Sequence, residues 1–188
     1  MNIRVFGVRL PLWAAVVFQP ILMLMLMVWG SWAACCYWDL RVAYSPSVPL
    51  GFYRLTSGRA QRGDYVMFCP PATPLFEEAL RRFWIARGDC PAGTRHLMKM
   101  VVALEGDHVI FRDDGVFVDG RRVPDSGARI KDGRGATLPR PAVHDVVLGA
   151  DEHVLMSLKG PDSFDARYFG PIKGQLVGRL EPVLTWDM

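Results

Sequence analysis

The sequence predicts a mostly β chain: an antiparallel β domain with one small helical insert, behind an N-terminal transmembrane helix. Three observations lead there. No charged residue occurs from Leu10 to Trp38, a run longer than the roughly 20 residues that a bilayer span needs. Beyond it, apolar residues fall into many short runs separated by turn dipeptides, the pattern of antiparallel strands. Only the interval around residues 73–88 places its apolar residues at helical spacing. At 188 residues the chain can build one domain with a sizeable core.

Residues 1–10 form a short basic segment, with Arg4 and Arg9 and no acid. Residues 11–36 form the anchor. Trp13, Trp29, Trp32 and Trp38 suit the interfaces, and Pro20 is tolerated within a span. The positive-inside rule puts the N-terminus in the cytoplasm and residues 37–188 outside. In a Gram-negative cell this is a single-pass inner-membrane protein, in contact with its lipid, carrying a periplasmic domain. A cleaved signal peptide would have a shorter apolar core and a small-x-small junction; Ser31-Trp32-Ala33 and Ala33-Ala34-Cys35 are poor matches. Lipid attachment at Cys35 meets the bulky Trp32 where an aliphatic residue belongs. An uncleaved anchor is the reading adopted.

Strands are expected at Phe52–Thr56, Tyr65–Cys69, Leu97–Leu104, His108–Arg112, Val116–Val118, Arg121–Val123, Val143–Leu148, His153–Leu158 and Gln175–Leu184. Asp113-Asp114-Gly115 and Asp119-Gly120 supply hairpin turns. Residues 125–142, rich in Gly, Pro and Arg, read as a loop. In the helical insert Thr73 is the expected N-cap and Pro74 the first helical residue. Leu75 to Trp84 carry the apolar face, Arg81, Arg82 and Arg87 favour its C-terminal end, and Gly88 is the expected stop. Cys69 and Cys90 bracket this insert. In an oxidising compartment they are expected to pair and staple it as a flap, two free thiols being the alternative.

The 22 basic and 19 acidic residues leave a net charge of +3, dispersed along the chain. That argues against a nucleic-acid stripe. There is no CxxC, and the four histidines have no metal-ligand spacing, so neither metal nor cofactor is expected.

Two features point to chemistry. Ser45-Pro46-Ser47-Val48-Pro49-Leu50-Gly51-Phe52-Tyr53 holds prolines and a glycine that force a stiff bend. A hydroxyl on such a bend can be aimed as a nucleophile, if a base exists; the plainer reading is a turn entering a strand. Of four lysines (Lys99, Lys131, Lys159 and Lys173), Lys99 alone lies in an apolar run, Leu97-Met98-Lys99-Met100-Val101-Val102-Ala103. Burial lowers a lysine pKa and makes the amine a usable base; the plainer reading is an edge-strand lysine snorkelling outward. Val48, Leu50 and Phe52 are open to two uses, strand core or contact with the bilayer surface.

Several segments together resemble the Ser–Lys type I signal peptidases, most closely their conjugative-transfer, TraF-type branch. Ser47 with Pro49 and Gly51 is similar to the nucleophile box. Gly63-Asp64-Tyr65-Val66 is similar to the strand box that follows. Lys99 in Lys-Met-Val-Val-Ala, followed by Glu105-Gly106-Asp107, is similar to the general-base box. Ser163-Phe164-Asp165-Ala166-Arg167-Tyr168-Phe169-Gly170-Pro171 is similar to the C-terminal box. Ala43 and Tyr44 stand where this branch often has Asn and Thr, and Val48 where general signal peptidases often have Met.

The resemblance implies a signal-peptidase-like β domain and a Ser47 nucleophile with Lys99 as its base. It implies Ser45 as a second oxyanion donor beside the Ser47 N–H, with a local turn bond as the alternative, and Ser163 as the hydroxyl that orients the lysine. Asp165 and Arg167, two apart on one side of a strand, are expected as an ion pair bracing the site, with Gly170 and Pro171 shaping the turn beneath. The implied partner is a pilin-like or secreted precursor with small residues before the cut, processed at a transfer or secretion apparatus. In some relatives cleavage is linked to joining the pilin ends. Rival readings are a general leader peptidase, an inactive anchored assembly protein and, more weakly, a self-cleaving Ser–Lys repressor.

Overall fold

The computed structural model describes residues 2–5, 8–157, 162–174 and 176–186. Leu158, Lys159 and Gln175, invoked above, lie outside them. Contacts divide the chain into two units, residues 1–40 and 41–188.

The first unit holds an antiparallel pair, β1 (Asn2–Val5) and β2 (Val8–Pro11), and then α1 (Leu12–Tyr37). The helix has 26 residues, so at 1.5 Å per residue it is about 39 Å long, against a hydrocarbon thickness of about 30 Å. It is long and apolar enough to cross a membrane, and Pro20 lies inside it.

The second unit is built from two sheets. Its elements are β3 (Leu40–Ala43), β4 (Leu50–Thr56), β5 (Tyr65–Phe68), α2 (Pro74–Arg81), β6 (Leu97–Ala103), β7 (His108–Arg112), β8 (Gly115–Val118), β9 (Arg121–Arg122), β10 (Asp145–Val147), β11 (Glu152–Met156), α3 (Ala166–Phe169), β12 (Ile172–Lys173) and β13 (Leu176–Trp186). One sheet runs β12-β11-β6-β5-β13-β4-β3 and the other β10-β7-β8-β9. The expected antiparallel β architecture is therefore present; β3 and β12, short and weakly patterned, were not expected from the sequence.

β13 pairs antiparallel with β5 along its first half and with β4 along its second. Pro182, which cannot donate to a ladder, sits where the β4 register shifts, a bulge that absorbs it. Gly51 is forced by the same approach. Its φ is +154°, and a Cβ there would lie 2.1 Å from the Leu184 carbonyl oxygen, so only glycine fits. The main core gathers Val66, Phe68, Val101, Val109, Leu155 and Phe169 among others. A smaller one joins Ala43, Val48, Tyr53, Met67 and Leu180, which makes Val48 core; Leu50 and Phe52 are half-buried.

The helical insert differs from expectation at both ends. Thr73 occupies the N-cap position, yet its side chain makes no capping bond. The helix stops at Arg81, with Arg82 as its C-cap, because Phe83 turns into the left-handed region at φ +62°. Trp84 and Arg87 thus lie beyond it, and Gly88 stands in a two-strand bridge region beside Arg87↔Thr94 rather than at a helix stop. Trp84 leaves the helix to donate its indole N–H to Asp132 at 2.8 Å, and this tie to the 125–142 loop outweighs the helical spacing. Cys69 and Cys90 are joined, with Cα atoms 5.6 Å apart, so the flap is stapled as expected.

Candidate active site

Ser47 lies in the bend between β3 and β4. Val48, 2% exposed, anchors the bend in the smaller core. Tyr53, fully buried on β4, donates its hydroxyl to the Pro49 carbonyl at 2.7 Å. The bend is thus clamped from below by a residue four positions on, a role the sequence did not single out.

Lys99 sits on β6, an interior strand flanked by β5 and β11, so it cannot snorkel as an edge lysine would. It is 2% exposed and pairs in register with Val66 of β5. Its Nζ donates to Ser47 Oγ at 3.2 Å, Ser163 Oγ at 2.5 Å and Ser157 Oγ at 3.0 Å. Ser157 Oγ and Ser163 Oγ are 2.9 Å apart, and Ser163 and Ser47 3.3 Å. Burial, the dominant effect, pushes the Lys99 amine down from 10.5 to about 8; the Asp165 charge opposes this and the Arg167 charge adds to it.

Ser163 follows the buried β11 and is positioned by its neighbour Phe164, which stacks between Trp84 and Tyr168 with centroids 5.3 and 5.7 Å away. Asp165 and Arg167 are not on a strand. Asp165 caps α3, accepting from the Arg167 backbone N–H at 3.1 Å. The reason is that an aspartate caps a helix N-terminus well, and the extended backbone at Asp165 lets its carboxylate reach back.

The two side chains also form a bidentate pair, Nε to Oδ1 at 2.8 Å and Nη2 to Oδ2 at 2.7 Å, both essentially without exposure. Arg167 reaches the Asp125 and Gly127 carbonyls too. Burial pulls the guanidinium pKa down, and the bonds and charge of Asp165 more than restore it, leaving it above its ordinary value. Gly170 closes α3 at φ +75°, its Cβ position 3.3 Å from Pro141.

Ser47, Lys99 and Ser163 are therefore brought together, with Asp165 and Arg167 directly behind. Ser45 is exposed and lines the same cleft. That cleft, about 800 Å³, is walled by Tyr44, Met67, Trp84, Ile85, Met98 and Phe164 among others. Met98 thus serves both as cleft wall and as packing for the smaller core. The residue missed outright is Ser157, 1% exposed. Its only sequence signal is a lone hydroxyl in the apolar run Val154-Leu155-Met156-Ser157-Leu158.

A family model described as signal peptidase, peptidase S26, matches residues 12–186. The chain belongs to the S26 signal peptidase family. Within this peptidase family it is similar to the plasmid transfer protein TraF of Escherichia coli, 41% identical over 147 residues, or 78% of this chain and 83% of that one. It is also 38% identical over 159 residues to the conjugal transfer protein TraF of Agrobacterium tumefaciens strain 15955, covering 82% and 87%. A crystal structure of signal peptidase I from Enterococcus faecalis V583 matches 66% of this chain and 99% of its own at 18% identity and a TM-score of 0.36, too distant to bear on mechanism. The S26 family and its TraF relatives are those the sequence motifs pointed to.

Proposed function

We propose that this S26 peptidase is a membrane-anchored Ser–Lys endopeptidase that cuts a leader-like segment from a precursor protein for a conjugative transfer apparatus. The observation that carries this is the amine of Lys99, buried, with its pKa lowered to about 8, and 3.2 Å from the Ser47 hydroxyl. Neutral Lys99 accepts the Ser47 proton while Ser47 Oγ bonds to the scissile carbonyl carbon. The oxyanion is received by the Ser47 N–H, with the Ser45 hydroxyl as second donor. Lys99 returns the proton to the departing amine as the peptide bond breaks, leaving an acyl-enzyme. Water then releases the acid and regenerates the dyad; an amine in its place would join two peptide ends.

Residues 1–10 are assigned to the cytoplasm, 11–36 to the inner membrane and 37–188 to the periplasm, because Arg4 and Arg9 precede the uncharged run Leu10–Trp38. The substrate is a pilin-like or secreted precursor with small residues before the cut, and the apparatus itself is a contact partner.

The test is processing of a candidate prepilin by the full-length chain in membranes, followed by mass analysis. Ser47→Ala and Lys99→Ala should each lose on the order of a thousandfold or more in rate, since neither half of such a pair works alone. Full maturation by either variant sinks the reading. A product one water lighter than the hydrolysed form reports joining. Processing of many unrelated leaders would favour a general leader peptidase instead.

A further inference from the structure

Among the described residues Lys99 faces three hydroxyls, and the proposed dyad uses one of them while the C-terminal motif supplies another. The third belongs to Ser157. Register explains its place: β11 pairs Met156 with Met100 of β6, so one further residue brings Ser157 beside Lys99. Its backbone N–H donates to Asp165 Oδ2 at 3.0 Å, which ties it to the buried ion pair. A neutral amine has two N–H groups and one lone pair. A base must aim that lone pair at the hydroxyl it deprotonates. With Ser163 at 2.5 Å and Ser157 at 3.0 Å accepting the two N–H groups, the lone pair is left for Ser47 at 3.2 Å.

We propose that Ser157 is a positioning residue for Lys99, its hydroxyl holding one amine N–H so that the lone pair stays on Ser47. This rests on the Ser–Lys reading above. After proton transfer the ammonium's three N–H groups face the same three oxygens, so the site takes up the proton without creating an unpartnered buried donor. Without Ser157, one N–H has no fixed acceptor among the described residues, and the amine gains rotations that turn an N–H toward Ser47.

Charges around Lys99 come from several elements. Asp165 and Arg167 act on it from α3 and its cap. Arg41 of β3, Arg95 and His96 ahead of β6, and Asp162 line the cleft, while β5 presents the apolar Val66 opposite it. Ser157→Ala alters none of these charges. It removes an acceptor that serves the ammonium more strongly than the amine, so the Lys99 titration should move to lower pH.

The experiment measures kcat/KM against pH for the full-length chain in membranes, using a prepilin fusion that the wild type processes. Ser157→Ala should lower kcat/KM roughly 10–100-fold, mostly in kcat. The acid limb, where activity rises with pH, should shift downward, and Ser157→Thr should move it back. A wild-type rate with an unmoved limb overturns the inference, as does a lower rate with an unmoved limb, which marks a merely structural role. If Ser157→Ala fails to fold by thermal melting, Ser157→Gly is read by the same two criteria. Lys99→Ala separates the levels. Retained activity there defeats the Ser–Lys reading, whereas an inactive Lys99→Ala beside a wild-type-like Ser157→Ala defeats only the role of Ser157.

Discussion

The two sheets differ in whether they bury charge, although the seven-stranded one also carries the surface pair Arg179–Glu181 at 2.7 Å. The seven-stranded sheet buries Lys99 and packs the Asp165–Arg167 pair against its β11 end, all three at 2% exposure or less. The four-stranded sheet buries Val109, Phe111, Val116 and Val118 and keeps its ions outside. At its edge Arg62, from the connection between β4 and β5 of the other sheet, reaches Asp107 at 2.7 Å and Asp119 at 3.1 Å with half its side chain in solvent, and His108 meets Asp145 at 2.6 Å. A surface pair loses little hydration and gains little. A buried pair must be complete, because a single uncompensated ion in the interior is costly. Charge buried at such a cost, beside a cleft and the Ser47 hydroxyl, is the pattern expected of a working site.

That contrast can be broken most forcefully at Asp165. Asp165→Asn leaves Arg167 charged and buried without its partner, and should destabilise by about 3–5 kcal/mol, read as a lower urea midpoint. A loss no larger than that of a surface pair would erase the distinction between the sheets.

Lys99→Met tests the same contrast with opposite sign. The folded pKa of about 8 lies below the ordinary 10.5. Between those values the unfolded chain holds a proton that the folded chain lacks, so folding stability rises with pH across that window and the penalty is fully present below it. Lys99→Met should therefore stabilise the domain at pH 7 by about 1–3 kcal/mol. The advantage should shrink toward pH 10.5, and a variant less stable than wild type at pH 7 would contradict burial as the cause of the shift.

The flap supplies a third comparison, since its staple lies outside both sheets' charge systems. Removing the Cys69–Cys90 link, which spans 21 residues, by double serine substitution should cost about 2–3 kcal/mol. The pH at which activity rises should stay unchanged, because no cleft charge is altered. The smallest effect is expected at Arg62→Ala, in the surface pairs with Asp107 and Asp119 beside the four-stranded sheet, within about 1 kcal/mol and diminishing further in added salt.

Much of this was legible in the chain. A lysine inside an apolar run, a serine on a Pro/Gly bend and the two flap cysteines could each be found by local pattern, because each is an exception to its surroundings. Helix ends and caps were less legible. Nothing in the spacing of Leu75 to Trp84 shows that Trp84 will leave the helix for Asp132, 48 residues away. The two-residue spacing of Asp165 and Arg167 predicts one side of a strand, and nothing in it shows that they form a cap and first turn instead. The Arg167 backbone N–H bond to Asp165 Oδ1 at 3.1 Å separates the two. Tyr53 and Ser157 carried almost no signal, since a tyrosine in a strand and a serine in an apolar run are ordinary until their partners are known.

By itself, then, the sequence determined the kinds of chemistry on offer: a span without charge, an antiparallel β domain, a serine on a stiff bend, a lysine in an apolar run and two cysteines bracketing one insert. These follow from composition and short-range periodicity, which act within a few residues. The tertiary structure decided which hydroxyls share the lysine. Hydrogen bonds among Ser47, Lys99, Ser157 and Ser163 join positions up to 116 apart, and they exist only because the β6–β11 register and the clamped bend bring those side chains to one point.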